Sequence, residues 1–270
     1  HRARDLARAV NTLKQPKVSV IVVTYNNLDL TKACLHSLEI YSHYSNYEVI
    51  VVDNASSDDS PNYLREWVAQ GDNRTIILNP DNKGFAAGNN QGLLAATGDY
   101  LVLLNNDTYV TPGWISSLVK HIERDPKIGL LGPVTCNIGN EAKININYTN
   151  MSEMLAESSK FTLRHIGHLT PLRTAAFFCV MISRAAYEKV GLLDEVFGIG
   201  FFEDDDYCRR VEQAGFTIYC ADDVFIHHHL SASFNKLKLE TRQKLFEENK
   251  VTYEKKWGPW IPHVYRPGVS

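Results

Sequence analysis

The apolar positions of the first half fall into short unbroken runs. "VSVIVVTYN" opens at Val18, "YEVIVVDN" at Tyr47, "TIILNPDN" at Thr75 and "DYLVLLNNDTYV" at Asp99. Three stretches of helical character separate them: residues 28–42, "PNYLREWVAQG" with Pro61 in its first turn, and "GFAAGNNQGLLAATG". Runs that are apolar at every position predict strands buried on both faces. Strands alternating with helices predict a mostly parallel central sheet flanked by helices on both faces, an α/β sandwich over residues 17–135.

The pattern changes after Gly139. "NEAKININYTNMSEMLAESSK" is polar without a clean period, which predicts a loop or a small edge hairpin. Apolar character returns at "TAAFFCVMISRAAYEKVG", and "FTIYCADDVFIHHHLSAS" reads as a pair of strands. Residues 238–257 read as a helix carrying Leu239, Leu245, Phe246, Val251, Tyr253 and Trp257, with core packing as its expected role. The basic segment 1–16 reads as an arm or linker helix ending at Pro16. The chain divides into that arm, a main domain over 17–237 with halves 17–135 and 136–237, and a helical extension over 238–270.

Composition narrows the function classes. The 270 residues are 44% hydrophobic and 22% charged, the balance of an ordinary globular chain that buries a sizeable core. A net charge of −3 lacks the basic excess of a nucleic-acid binder. Five scattered cysteines without a CxxC pair fit reduced thiols and a cytoplasmic setting better than a disulfide framework. No apolar run approaches the ~20 residues of a membrane span. The chain begins at His1 without a methionine, so it is read as part of a larger protein or a processed chain, with room for additional domains.

Candidate chemistry gathers where the strands end. Thr24, Tyr25 and Asn26 follow the first; Asp53, Asn54, Ser56 and Ser57 the second; Asn105, Asn106 and Asp107 the fourth. In open α/β sheets ligands bind outside the carboxyl ends of the strands. "VVTYNNLDL" has no glycine-rich turn, so a dinucleotide cofactor is not expected; "GFAAGNNQG" has no P-loop lysine, so ATP hydrolysis is not expected. Its approach, "NPDNKG", joins a turn to a helix start whose backbone N–H groups can face an anion or a sugar. One further stretch demands an account. "FFEDDDYCRR" places Glu203, Asp204, Asp205 and Asp206 in succession, and carboxylates about 6 Å apart repel by roughly 2–3 kcal/mol at an effective dielectric near 20.

Six segments taken in order carry a resemblance: "VSVIVVTYNN", "VIVVDNASSDDS", "NKGFAAGNNQG", "LVLLNNDTYV", "VGLLDEVFGIGFFEDDDYCRRVEQAGF" and "IHHHLSASF". Over about residues 17–235 the chain resembles the family-2 glycosyltransferases with the GT-A fold, particularly the bacterial branch that builds rhamnose-containing surface polysaccharides such as O-antigen. The resemblance implies a GT-A catalytic domain over 17–237, with a nucleotide-sugar half and a smaller acceptor-side subregion. It implies inverting transfer from a dTDP-, UDP- or GDP-sugar to a glycan or lipid-linked acceptor, with Mg²⁺ or Mn²⁺ as cofactor. Many such relatives act at the inner face of the cell membrane, so peripheral membrane association is a further expectation; nucleic acid is not an expected partner.

The resemblance also implies residue roles. Thr24, Tyr25, Asn26 and Asp53 hold the base and ribose; Asn82, Gly84, Phe85, Asn89, Asn105 and Asn106 complete the donor site. "NND" stands at the family's DxD position with Asn105 in place of the first acid, leaving Asp107 as the main carboxylate on the metal. Register favours His228 as its companion, with His229 and His227 as alternatives. Asp204 takes the place of the general base, next to Glu203 in the catalytic pair, while Asp206 is spaced to pair with Arg209 or Arg210. A nucleotidyltransferase would carry a basic glycine-rich loop after the first strand, and none is present. An inactive glycan-binding scaffold is disfavoured by Asp53, Asp107 and Asp204 together.

Overall fold

A computed structural model describes residues 15–229 and 238–269. The proposed arm helix before Gln15 and the Ser-Phe element after the histidines lie outside the described residues. The first half folds as β1 (Val18–Thr24), α1 (Leu28–Tyr41), β2 (Tyr47–Asp53), α2 (Ser60–Val68), β3 (Arg74–Leu78), α3 (Phe85–Ala95) and β4 (Tyr100–Asn105). It continues with β5 (Thr108–Tyr109), α4 (Trp114–Arg124) and β6 (Ile128–Val134). The second half supplies α5 (Met151–Arg164), β7 (Leu169–Pro171), β8 (Cys179–Ser183), α6 (Arg184–Val190), α7 (Glu203–Gln213), β9 (Thr217–Phe225), β10 (His227–His228) and α8 (Leu239–Trp257).

An eight-stranded sheet runs in the order β3-β2-β1-β4-β8-β6-β9-β7. β1 pairs in parallel with β2 and β4, β2 with β3, and β6 with β9; β8 and β7 run against their neighbours. Successive β1 side chains serve two cores. Val18, Val20 and Val22 pack with Leu35, Leu38 and Trp114 on one face, while Ile21 packs with Leu93, Leu101 and Tyr207 on the other. That two-sided burial is the physical reason the strands read as continuous apolar runs. On the second face α3 lies close to the sheet: a Cβ on Gly92 would stand 2.3 Å from Ile21 Cγ2.

Two sequence expectations need correction. The 139–175 segment contains a helix, α5, capped at Asn150, whose side chain accepts the Glu153 N–H while the Glu153 carboxylate accepts the Thr149 N–H. This reciprocal capping, with Met154 and Ser158 buried one turn apart, is the signature the polar composition obscured. The fourth apolar run is not one strand. β4 stops at Asn105, the chain turns through Asn106 and Asp107, and β5 leaves the main sheet to pair antiparallel with β10. α8 occupies the expected span, with Phe246, Tyr253 and Trp257 packed toward Phe197 and Phe202, but Leu239 and Val251 face solvent. Among the described residues no helix is long and apolar enough to cross a membrane.

Candidate active site

The carboxyl ends of β1 and β2 stand side by side, with Thr24 opposite Asp53. Asp53 is almost wholly buried; Oδ1 accepts from the Thr24 and Ser56 hydroxyls at 2.9 and 2.6 Å, and Oδ2 accepts the Ser56 N–H at 3.0 Å. Asn26, in the left-handed region, accepts the N–H of Ser57 and donates its own N–H to Ser56 Oγ. These groups pin two turns together, and Tyr25 stands over them 43% exposed. Beside them Asn26, Asn27, Leu28, Ser57 and Asp58 border a cleft of about 620 Å³.

The rest of the expected donor set divides. Asn82 accepts the Gly84 N–H and shapes the turn into α3. Gly84 has φ +88°, and a Cβ there would meet the Gly198 carbonyl at 2.5 Å, so glycine is required both by conformation and by the close approach of two loops. Its carbonyl accepts from Asn54, and Phe85 opens α3. Asn89 Nδ2 donates back to Phe85 O, and Asn106 Nδ2 donates to Thr31 Oγ1 on α1. Both are buried, because a polar side chain under a turn is retained when it satisfies a neighbour. Asn105 is half-buried at the end of β4, and its N–H donates to Phe178 O.

The β5–β10 pairing places His228 across from Thr108 and lets the His229 N–H donate to Asp107 O. His228 Nε2 then lies 3.4 Å from Asp107 Oδ1, while Nδ1 contacts Asn137 O at 2.8 Å and the ring stacks on Phe178. Burial opposes protonation of His228, but the Asp107 carboxylate lifts its pKa above the ordinary value. His229 is exposed and edge-on to His227, whose own pKa is lowered to about 4 by burial and its two histidine neighbours.

Among the described residues, no three His, Cys, Asp or Glu side chains converge to hold a metal alone, so Asp107, His228 and His229 are not a ready-made trio. The residues nevertheless fit a cation shared with an anionic ligand. A buried carboxylate faces an imidazole nitrogen whose ring is oriented by a backbone carbonyl, the usual support of a metal-binding histidine.

The acid run begins α7, and its four members have four environments. Phe201 and Phe202 precede it at φ +73° and +69°, left-handed conformations that cost of order 1–3 kcal/mol each for non-glycine residues. Glu203 is buried; burial and the Asp204 charge push its pKa well above the carboxylate range, which favours its neutral form. Asp204 is half-buried and accepts N–H groups from Asp205 and Phe177. Burial first, then the Asp205 charge, push its pKa up to about 7, while His263 pulls the other way.

Asp205 accepts from Thr174 Oγ1 at 3.1 Å and lies 3.5 Å from His263. Asp206 is fully buried among Arg210 Nε, Lys256 Nζ and Trp257 Nε1. The repulsion feared from four adjacent carboxylates is thus eased by the burial that disfavours charge on Glu203 and by His263, Arg210 and Lys256, which face Asp205 and Asp206. Arg209 pairs with Glu212 instead of Asp206.

The two key acids approach through consecutive residues. Asp204 takes the Phe177 N–H, and Phe178 stacks on the histidine that meets Asp107. Both contacts are made just before β8 begins at Cys179. Sequence reasoning missed Asn137, Asn249, Trp257 and His263 as parts of this region. They occupy no local motif; only chain folding gathers them.

Comparison with known proteins bears on the same elements. "Glycosyl transferase family 2" matches residues 19–191, a span that ends before the acid run. The O-antigen biosynthesis protein RfbC of Myxococcus xanthus is 29% identical over 234 residues, covering 81% of this chain and 18% of that protein. Glycosyltransferase AglE of Haloferax volcanii is 26% identical over 224 residues, 82% of this chain and 69% of that one. The chain spans 29% of an uncharacterized Sinorhizobium fredii protein, y4gI, that matches 94% of it at 26% identity. A Pyrobaculum calidifontis mannosyltransferase solved with GDP-Man and Mn²⁺ superposes with a TM-score of 0.61 at 21% identity, covering 82% of this chain and 59% of that one. GalNAc-T7, solved with UDP, GalNAc and Mn²⁺, superposes with a TM-score of 0.61 at 18% identity, over 80% and 44% of the two chains. The matched span and the superpositions establish that this chain belongs to glycosyl transferase family 2 and has the GT-A fold.

Proposed function

We propose that this protein transfers a sugar, hexosyl or deoxyhexosyl, from a nucleoside-diphosphate donor to a hydroxyl of a glycan or lipid-linked acceptor, inverting the anomeric centre, in surface polysaccharide synthesis. The observation that carries the reading is Asp204: a half-buried carboxyl near pKa 7 at a helix start, joined through Phe177 and Phe178 to the Asp107–His228 pair. A general base works best when its pKa lies near the operating pH.

The base of the donor stacks on Tyr25 above the Asp53 turn. Its diphosphate reaches toward Asn105 and the start of α3. Asp107 and His228 would hold a divalent cation, Mg²⁺ or Mn²⁺, which when bound neutralises charge on the departing diphosphate. Asp204 accepts the proton of the acceptor hydroxyl as that oxygen attacks the anomeric carbon and the C–O bond to the diphosphate breaks. Burial favours the neutral form of Glu203, which spares Asp204 a second neighbouring charge.

A melting-temperature screen against UDP-, dTDP- and GDP-sugars, with and without Mn²⁺ or Mg²⁺, tests the donor class, because a ligand that binds the native state raises the midpoint. One donor class should shift it, more so with metal, and should then support transfer to a hydroxyl acceptor. A screen in which no nucleotide sugar shifts the midpoint or is turned over would overturn the reading.

A further inference from the structure

We propose that Asn249, on the C-terminal helix α8, is a positioning residue for Asp204: by holding the loop 197–202 it sets where α7 begins and therefore where the base stands. The proposal rests on the reading of Asp204 as the base. Asn249 is 6% exposed, and its Nδ2 donates to three carbonyls, Phe197 at 2.9 Å, Gly200 at 2.6 Å and Phe201 at 3.2 Å. One amide therefore gathers a loop that contains two left-handed phenylalanines. Such conformations persist only when their surroundings over-determine them.

The same face of α8 does the rest. Phe246 packs on Phe201 and Phe202 with ring centroids 5.6 and 5.1 Å apart, and Tyr253 packs on Phe202 at 5.5 Å. Positions 246, 249 and 253 share one helix face. Further along, Lys256 and Trp257 reach Asp206. Asp204 is thus bracketed: the residue two before it and the residue two after it are both held by α8. The loop also abuts the donor half, since Gly84 packs against Gly198. A displacement of this loop moves the base relative to the donor side, and a misplacement of about 1 Å can cost on the order of 100-fold in rate.

The test uses the full chain with Asn249→Ala and Asn249→Gln. Two readouts are taken: kcat against donor KM, and the carboxyl titration of Asp204 by carbon NMR in the free protein. The groups facing Asp204 are Glu203, Asp205 and Cys208 of its own helix and His263 of the C-terminal segment; none is altered by the substitutions. Asn249→Ala should lower kcat about 10- to 100-fold with donor KM little changed, and bring the Asp204 titration down from about 7 as water reaches the released loop. Asn249→Gln, which keeps an amide, should recover part of both.

A folded Asn249→Ala protein with unchanged kcat and unchanged Asp204 titration would overturn the proposal. Should that variant fail to fold, Trp257→Phe, which removes one hydrogen bond to Asp206, is read the same way. The titration separates this proposal from the one beneath it. If Asp204→Asn keeps full turnover the base assignment fails, whereas the movement of the Asp204 titration still decides whether Asn249 positions that side chain.

Discussion

Asp204→Asn should cripple the enzyme and stabilise the protein, and the two effects share one cause. The carboxyl has an ordinary pKa of about 3.9 in the unfolded chain and about 7 in the fold, where burial and Asp205 disfavour its charge. Between those values the unfolded state has lost the proton and the native state retains it. Stability therefore falls as pH rises from about 4 to 7 and levels off above that. The full shift corresponds to about 4 kcal/mol at 1.36 kcal/mol per pKa unit. Asp204 is only half-buried, so about 1–3 kcal/mol is the expected net effect once solvent screening is allowed for.

Urea unfolding at pH 5 and pH 8 checks the sign. Asn cannot ionise, so the variant should gain on the wild type as pH increases, with only about a third of the full gain present at pH 5. Turnover at pH 8 should meanwhile drop about 10²- to 10⁴-fold, the usual contribution of a general base, with donor binding retained. A variant equally stable at both pH values relative to wild type, or one that turns over normally, would refute the reasoning.

Three other outcomes are expected. His263→Gln removes a cation that favours ionised Asp204, so the acidic limb of the kcat/KM profile should move to higher pH; a stationary limb would mean His263 does not reach the base. Asp107→Ala should abolish the Mn²⁺-dependent part of nucleotide-sugar affinity in calorimetry, and metal-enhanced binding that survives would take Asp107 out of the cation site. Gly92→Ala adds a methyl 2.3 Å from Ile21 Cγ2; the overpacking, about 1–3 kcal/mol, should exceed the roughly 1 kcal/mol gained in helix propensity and lower Tm, so an unchanged Tm would contradict the packing of α3 on β1.

Much of this protein was determined by local sequence. Strands buried on both faces must be apolar at every position, so β1, β2 and β4 declared a helix-covered parallel sheet. The polar residues that end them, Thr24, Asp53 and Asp107, had to lie along one edge once the strands ran parallel. Local pattern failed where local chemistry has two uses. The buried Asn89 and Asn106 each give an amide hydrogen bond to Phe85 O and Thr31 that no local pattern announced, and α5 hid its period behind surface polarity.

Only the tertiary structure decided how the acid run is tolerated and aimed. Arg210 meets Asp206 from the same helix, but Lys256 and Trp257 reach it from α8, His263 arrives from the C-terminal segment, and Phe177 reaches Asp204 from the approach to β8. Burial and the field of distant charges set a carboxyl's pKa, and neither quantity exists until the chain closes on itself. The same four letters in an exposed helix would be four ordinary carboxylates; here burial disfavours charge on one, two face cationic side chains, and one is left poised to accept a proton.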